Sequence, residues 1–169
     1  PATAVGMYGI VNQYGLKMIG GPVGGFMSDK VHKSAAKHIR VGFVVCIVAM
    51  AVFLMIPHEA LGQKGMWMLG AVCTLTFGAI VFTMRAGFFA PMDEVKVPRE
   101  ITGAAMSMAS LIIYLPNTFA YVMYGNFLDR FPGMTGFRIV FSVMIGWAVV
   151  GVGVSTFLIR RIKKHQKNA

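Results

Sequence analysis

Charge is scarce in this 169-residue sequence, and negative charge scarcest: six Asp and Glu stand against 16 Lys and Arg. Charged residues make up 13% of the chain, where an average soluble chain carries about 25%. A water-soluble globule of this composition would lack much of its polar coat. The two cysteines, Cys46 and Cys73, each sit inside a long apolar run. That spacing gives neither a disulfide framework nor a zinc site, and both read as small packing hydrophobes. His32, His38, His58 and His165 fall in predicted loops without metal-ligand spacing. No paired carboxylates and no Ser/His/Asp set lie within the apolar segments. The Gly20–Gly25 run, GGPVGG, is not followed by the Gly-Lys-Ser/Thr of a phosphate loop. The expectation is therefore no enzyme, no cofactor, no metal and no ATP-driven motor.

What is present is hydrophobicity: 56% apolar residues, with 14 Met and 13 Phe. Such a chain is not disordered, and its basic residues do not spread over one polar face as a nucleic-acid partner would require. An all-α polytopic membrane protein remains, with the lipid bilayer as its first partner. The chain opens at Pro1 with no basic region before an apolar core, so no signal peptide is visible and a fragment or a processed start is expected.

A hydrocarbon core about 30 Å thick takes about 20 helical residues to cross. Met66–Met84, Ile101–Leu128 and Ile139–Ile159 contain no charge, and Val41–Pro57 is shorter but apolar throughout. The opening stretch is long enough yet carries Asn12, Gln13 and Lys17. Five transmembrane helices are predicted, at about 5–27, 41–57, 66–84, 101–125 and 139–159, with a basic tail at 160–169. The connectors orient them. Lys30, Lys33, Lys37, Arg40, Lys96, Arg99 and the tail residues Arg160, Arg161, Lys163, Lys164 and Lys167 share one side; Lys64, Arg130 and Arg138 hold the other. An eleven-to-three bias places the basic side and the C-terminus in the cytoplasm, although a basic tail also attracts anionic lipid.

The first predicted span ends in Gly25-Phe-Met-Ser-Asp29-Lys30, and the fourth in Gly125-Asn-Phe-Leu-Asp129-Arg130. Each closes a helix with Gly, three residues, Asp and a cation. The two helices are an odd number of spans apart, so the copies face opposite sides of the membrane. Three-helix units of opposite orientation, the first lacking its first member, are the pattern of an inverted repeat in a secondary transporter.

Gly25-x-x-x-Asp29-Lys30-x-His32-Lys33 resembles the loop element Gly-x-x-x-Asp-Arg/Lys-x-Gly-Arg/Lys-Arg/Lys of the major facilitator superfamily, with His32 in place of its second glycine. Pro98-Arg99-Glu100-Ile101-Thr102-Gly103 is similar to the start of that family's eleventh helix. Arg85-Ala-Gly-Phe-Phe-Ala-Pro91 with Asp93-Glu94 resembles poorly characterised bacterial inner-membrane members. The resemblance spans the whole chain but only the last two-fifths of such a carrier: helices 8 to 12, within its C-terminal six-helix half. It implies a multi-pass inner-membrane location and alternating access. It also implies a missing N-terminal half as partner, and gating roles for Gly25, Asp29, Lys30 and Lys33. The alternative for that loop is an ordinary solvated turn.

An ionisable group inside the bilayer is a functional candidate by default. Lys17 lies twelve residues before Asp29, about 18 Å along a helix axis at 1.5 Å per residue, near mid-membrane. Gln13 is one turn earlier and Asn12 adjacent to it, making a polar stripe. The stripe borders a solute cavity, where Lys17 attracts an anionic group or pairs with a carboxylate of the missing half; snorkelling is the alternative. Arg85 can serve a vestibule or pair with Asp93 and Glu94. Thr74 and Thr76 line the cavity or back-bond to their own helix. Asn117 beside Pro116 is a ligand, hinge or packing position. The overlapping Gly-x-x-x-Gly pairs among Gly20, Gly21, Gly24 and Gly25 are expected to pack against the missing half. The function expected is secondary transport of a small-molecule solute, an anion among the candidates, by a piece not competent alone. The alternative is a non-transporting membrane scaffold or channel subunit.

Overall fold

The computed structural model describes residues 2–56, 62–95 and 97–168. Pro57, His58 and Lys96 lie outside them. The protein is an all-α membrane protein. The chain starts with one unbroken helical rod, in which α1 (Ala2–Ile10) and α2 (Leu16–Phe26) alternate with π-helical stretches at Val11–Gly15 and Met27–His32. Then follow α3 (Ala35–Met55), α4 (Gln63–Arg85), the short α5 (Ala90–Glu94), α6 (Arg99–Arg130) and α7 (Met134–Asn168). Among the described residues, α3, α4, α6 and α7 each hold a stretch long and apolar enough to cross a membrane.

Side-chain pairings fix the helix directions. Tyr8 reaches Ala71, Leu16 lies against Gly78, and Gly20 and Gly24 meet Phe82 and Thr83, so the opening rod runs parallel to α4. Ala36 packs on Ile159 and Ile162, Phe43 on Gly151 and Phe53 on Phe141 with ring centroids 4.9 Å apart, so α3 and α7 are antiparallel. Leu128 lies against Gly136 across the tight link from α6 to α7, which turns α6 antiparallel to α7. Gly42 lies against Met84, while Phe141 packs on both Phe53 and Phe77, so α3 is antiparallel to α4, and the opening rod and α6 run in opposite directions.

The described residues therefore have a basic end, carrying 27–40, 85–95, 97–99 and 160–164, and an opposite end carrying 6–10, 62–70 and 130–138. The basic segment 160–168 continues α7 to Asn168. Ile159 and Ile162, three apart on one helix face, are both buried against Ala36. That contact carries the helix past the apolar span, so the cations Arg160, Arg161, Lys163 and Lys164 project from a packed helix. No residue of α6 is buried, and large side chains such as Leu111, Phe119 and Tyr121 are exposed along it. In water that surface would aggregate; in a bilayer it faces lipid or another helix.

Candidate functional site

The π-helical stretches fall on the two groups of polar residues singled out from sequence: Asn12 and Gln13 in one, Asp29 and Lys30 in the other. A π turn inserts one extra residue per turn and re-aims its neighbours, and such bulges concentrate at functional sites. The first one splits the expected stripe. Asn12 turns toward α4, where its Nδ2 donates to the Tyr8 hydroxyl at 3.4 Å and its Oδ1 lies beside Gly78. Gln13 and Lys17 are exposed. Tyr8 in turn donates to the Ala71 carbonyl at 2.9 Å and meets the Thr74 hydroxyl. Asn12, Tyr8 and Thr74 thus form one connected set between the rod and α4.

Beside that set, toward the end opposite the basic one, lies an open apolar cavity of about 820 Å³. Tyr8, Trp67, Gly70, Thr74 and Phe137 are among its walls. Thr76 is on the same helix but spends its hydroxyl on the Val72 carbonyl at 2.8 Å, the back-bonded alternative. Asn117 is exposed on α6, next to Pro116.

At the basic end the chain reverses between the rod and α3. Lys33 holds the left-handed conformation that makes this turn, with φ 52°, and its N–H bonds to the Ser28 carbonyl. Position 32, where the family element has glycine, is the last residue of the π-helical stretch. The His32 replacement therefore leaves the turn intact. Asp29, Lys30 and Lys33 are exposed, with the Lys30 ammonium 5.9 Å from the Phe26 ring centroid. Asp29, Lys33, Ser34 and Glu94 line a shared hollow of about 380 Å³.

Arg85 and Glu94 do not pair with each other. Arg85 donates from Nη2 to the Tyr114 hydroxyl at 3.1 Å, its guanidinium 5.7 Å from that ring's centroid. Glu94 accepts from the Ser34 hydroxyl at 2.9 Å and from the Ala35 backbone N–H. The start of α3 explains the second arrangement. Ser34 is its N-cap and accepts from the Lys37 N–H, but where a capping box would place Glu, three residues on, the chain has Lys37. Glu94 supplies the acidic group from α5 instead, at the positive end of the helix dipole.

The glycine pairs also divide. A Cβ on Gly24 would fall on the Thr83 carbonyl oxygen, and one on Gly20 would lie 2.7 Å from Phe82 Cβ. Gly20 and Gly24 therefore pack against α4 of this same chain, not against a missing half. Gly21 and Gly25 have open space in front of them.

Sequence reasoning missed a histidine pair. His32 Nδ1 and His38 Nδ1 are 3.3 Å apart, and His38, 3% exposed, reaches the Thr83 carbonyl through Nε2 at 3.2 Å. The two are six residues apart, across the left-handed turn, and only the turn brings them together.

Comparison with known proteins agrees with a membrane location for this architecture. The chain is 47% identical over 167 residues to the inner membrane protein YihN of Escherichia coli (strain K12), a match covering 99% of this chain and 39% of that protein. It is 27% identical over 159 residues to the inner membrane protein YqcE of the same strain, covering 92% of this chain and 36% of that one. The chain thus spans less than two-fifths of the curated relatives it matches. No family model matches it, and no solved structure does.

Proposed function

We propose that the chain is the C-terminal portion of an inner-membrane secondary carrier of the major facilitator type, moving a small solute by alternating access. The observation that carries this reading is the pair of helices closed by Gly-x-x-x-Asp-cation. The rod ends at Asp29-Lys30 at the basic end, α6 ends at Asp129-Arg130 at the opposite end, and the two helices run oppositely. Repeats of inverted topology around a midplane site are how such carriers present one path to both sides in turn. The relatives' description as inner membrane proteins supports the location. The basic end then faces the cytoplasm by the positive-inside bias, and with it the end of α7.

On this reading Lys17, Gln13 and Asn117 look into the solute path, with the missing half forming the other wall. Asp29, Lys30 and Lys33, with Gly25 at open space, belong to the cytoplasmic gate. An ion or solute gradient drives the cycle, with no enzymatic step and no cofactor. The test is gradient-driven uptake by the complete protein in right-side-out vesicles, across a panel of labelled small acids and neutral solutes. Saturable accumulation that collapses with the gradient is the expected result. Vesicles indistinguishable from empty-membrane controls across the panel would favour a scaffold.

A further inference from the structure

We infer that the outer face of α7, at the basic end, is a docking site for an anionic phospholipid whose headgroup sits between Arg161 and Lys164. Val150, Val154, Phe157, Arg161 and Lys164 follow one another at steps of three and four residues, so they line one face of the helix. Val150, Val154 and Phe157 are each more than half exposed, and Arg161 and Lys164 are exposed as well. The opposite face is already occupied. Ala148, Ser155, Ile159 and Ile162 are buried there, the two isoleucines against Ala36 of α3. The helix thus packs on protein along one side and presents, along the other, an apolar strip that ends in two cations.

The heights along the helix match those of a lipid. The uncharged run Ile139–Ile159 measures about 30 Å at 1.5 Å per residue, the thickness of the hydrocarbon core. Arg161 and Lys164 stand about 3 Å and 7.5 Å beyond Ile159, inside a headgroup layer roughly 5–8 Å deep. Buried Ile162, between them in sequence, ties this turn to α3 and fixes that height. The Arg161 guanidinium lies 5.2 Å from the Phe157 ring centroid, held at the boundary of the apolar strip. Stacking on a ring uses the face of the guanidinium and leaves its N–H edge free to grip two phosphate oxygens. Among the described residues no carboxylate pairs with Arg161 or Lys164.

Charge and shape together select the occupant. An apolar chain beside Val150, Val154 and Phe157, joined to a negative group beside Arg161 and Lys164, is an anionic phospholipid. A soluble anion leaves the apolar strip uncovered, and a zwitterionic lipid brings a cation of its own against the two already there. The site is narrower than the general attraction of a basic segment for anionic lipid. Lys163 is also exposed, but two residues turn it about 200° from Arg161, off the strip. The inference rests on the contact of α7 with lipid and not on the carrier reading.

The experiment is fluorescence quenching in the complete protein, freed of its other cysteines, with Val154→Cys carrying a fluorophore. The protein is reconstituted in phosphatidylcholine vesicles containing phosphatidylglycerol, and either lipid carries bromine on its acyl chains as the quencher. The expected result is preferential quenching by the brominated phosphatidylglycerol, its relative binding constant higher by about fivefold for each cation engaged. Arg161→Gln combined with Lys164→Gln brings that preference close to one, whereas Lys163→Gln leaves it in place. Both changed positions are exposed; should the double variant fail to fold, Lys164→Gln alone must lower the preference about fivefold. Equal quenching by the two lipids would overturn the inference, as would a loss of preference with Lys163→Gln as large as with Lys164→Gln. Quenching by neither lipid would show another protein segment on the strip and overturn it too. No uptake is measured, so failure of the carrier reading would register separately.

Discussion

Gly24→Val in the complete protein lowers the heat-denaturation midpoint clearly, while Gly21→Val, three residues away on the same helix, leaves it nearly unchanged. The reason is what each added Cβ meets. At Gly24 it falls on the Thr83 carbonyl oxygen, with Thr83 Cα 2.9 Å away; at Gly21 nothing lies within 4 Å. The obstacle at Gly24 is backbone, which cannot rotate aside as a side chain would. Helices in lipid are held largely by close packing of this kind, because lipid tails are as apolar as leucine. Forcing the rod off α4 costs about 1–3 kcal/mol as overpacking. It also displaces the carbonyl that His38 holds. Gly21→Val stays within about 0.5 kcal/mol, as a surface substitution does. Thermal denaturation of the two variants side by side in the same detergent checks this; equal midpoints would contradict the crossing.

The second large effect is at Lys17. On the carrier reading Lys17 lies near mid-membrane, where a lysine costs about 2.5–3.5 kcal/mol to insert. Lys17→Gln therefore eases insertion and should leave expression unchanged. If Lys17 contacts the anionic group of a solute, or a carboxylate of the other half that must stay paired, its loss removes a charged hydrogen bond worth about 1.5–3 kcal/mol. Uptake then falls about tenfold or more, with Lys17→Arg retaining part of it through its charge. Measuring initial uptake rates of the two variants at matched expression tests this. Unchanged uptake by Lys17→Gln would remove Lys17 from the path.

The apolar helices were legible in the sequence because the signal for burial in lipid is simple length and hydrophobicity. Val41–Pro57 and Ile139–Ile159 need no partner to be recognised. The residues that join helices were less legible. Whether Gly20 and Gly24 or Gly21 and Gly25 meet α4 depends on the rotation of the rod, which a run of adjacent glycines leaves undetermined. The π turn at Val11–Gly15 breaks the regular spacing that put Asn12, Gln13 and Lys17 on one stripe. Glu94 lies 59 residues from the N–H that it caps, so local pattern favoured nearby Arg85 as its partner. The one local hint was Lys37, a cation where a capping box would have an acid. His32 and His38 read as loop residues because the left-handed turn at Lys33, which joins them, uses no glycine.

The central claim, that the rod and α6 border one path open to each side in turn, is tested most directly by thiol access. Cys46 and Cys73 are first replaced by alanine in the complete protein. Single cysteines are then placed at Gln13 and Asn117, both exposed here, and treated with a membrane-impermeant thiol reagent from one side of sealed vesicles or the other. Both positions are expected to label from either side, with driving gradient or solute shifting reactivity between sides in the same direction for both. Labelling from neither side, as lipid-facing residues would give, or from one side regardless of conditions, would contradict it.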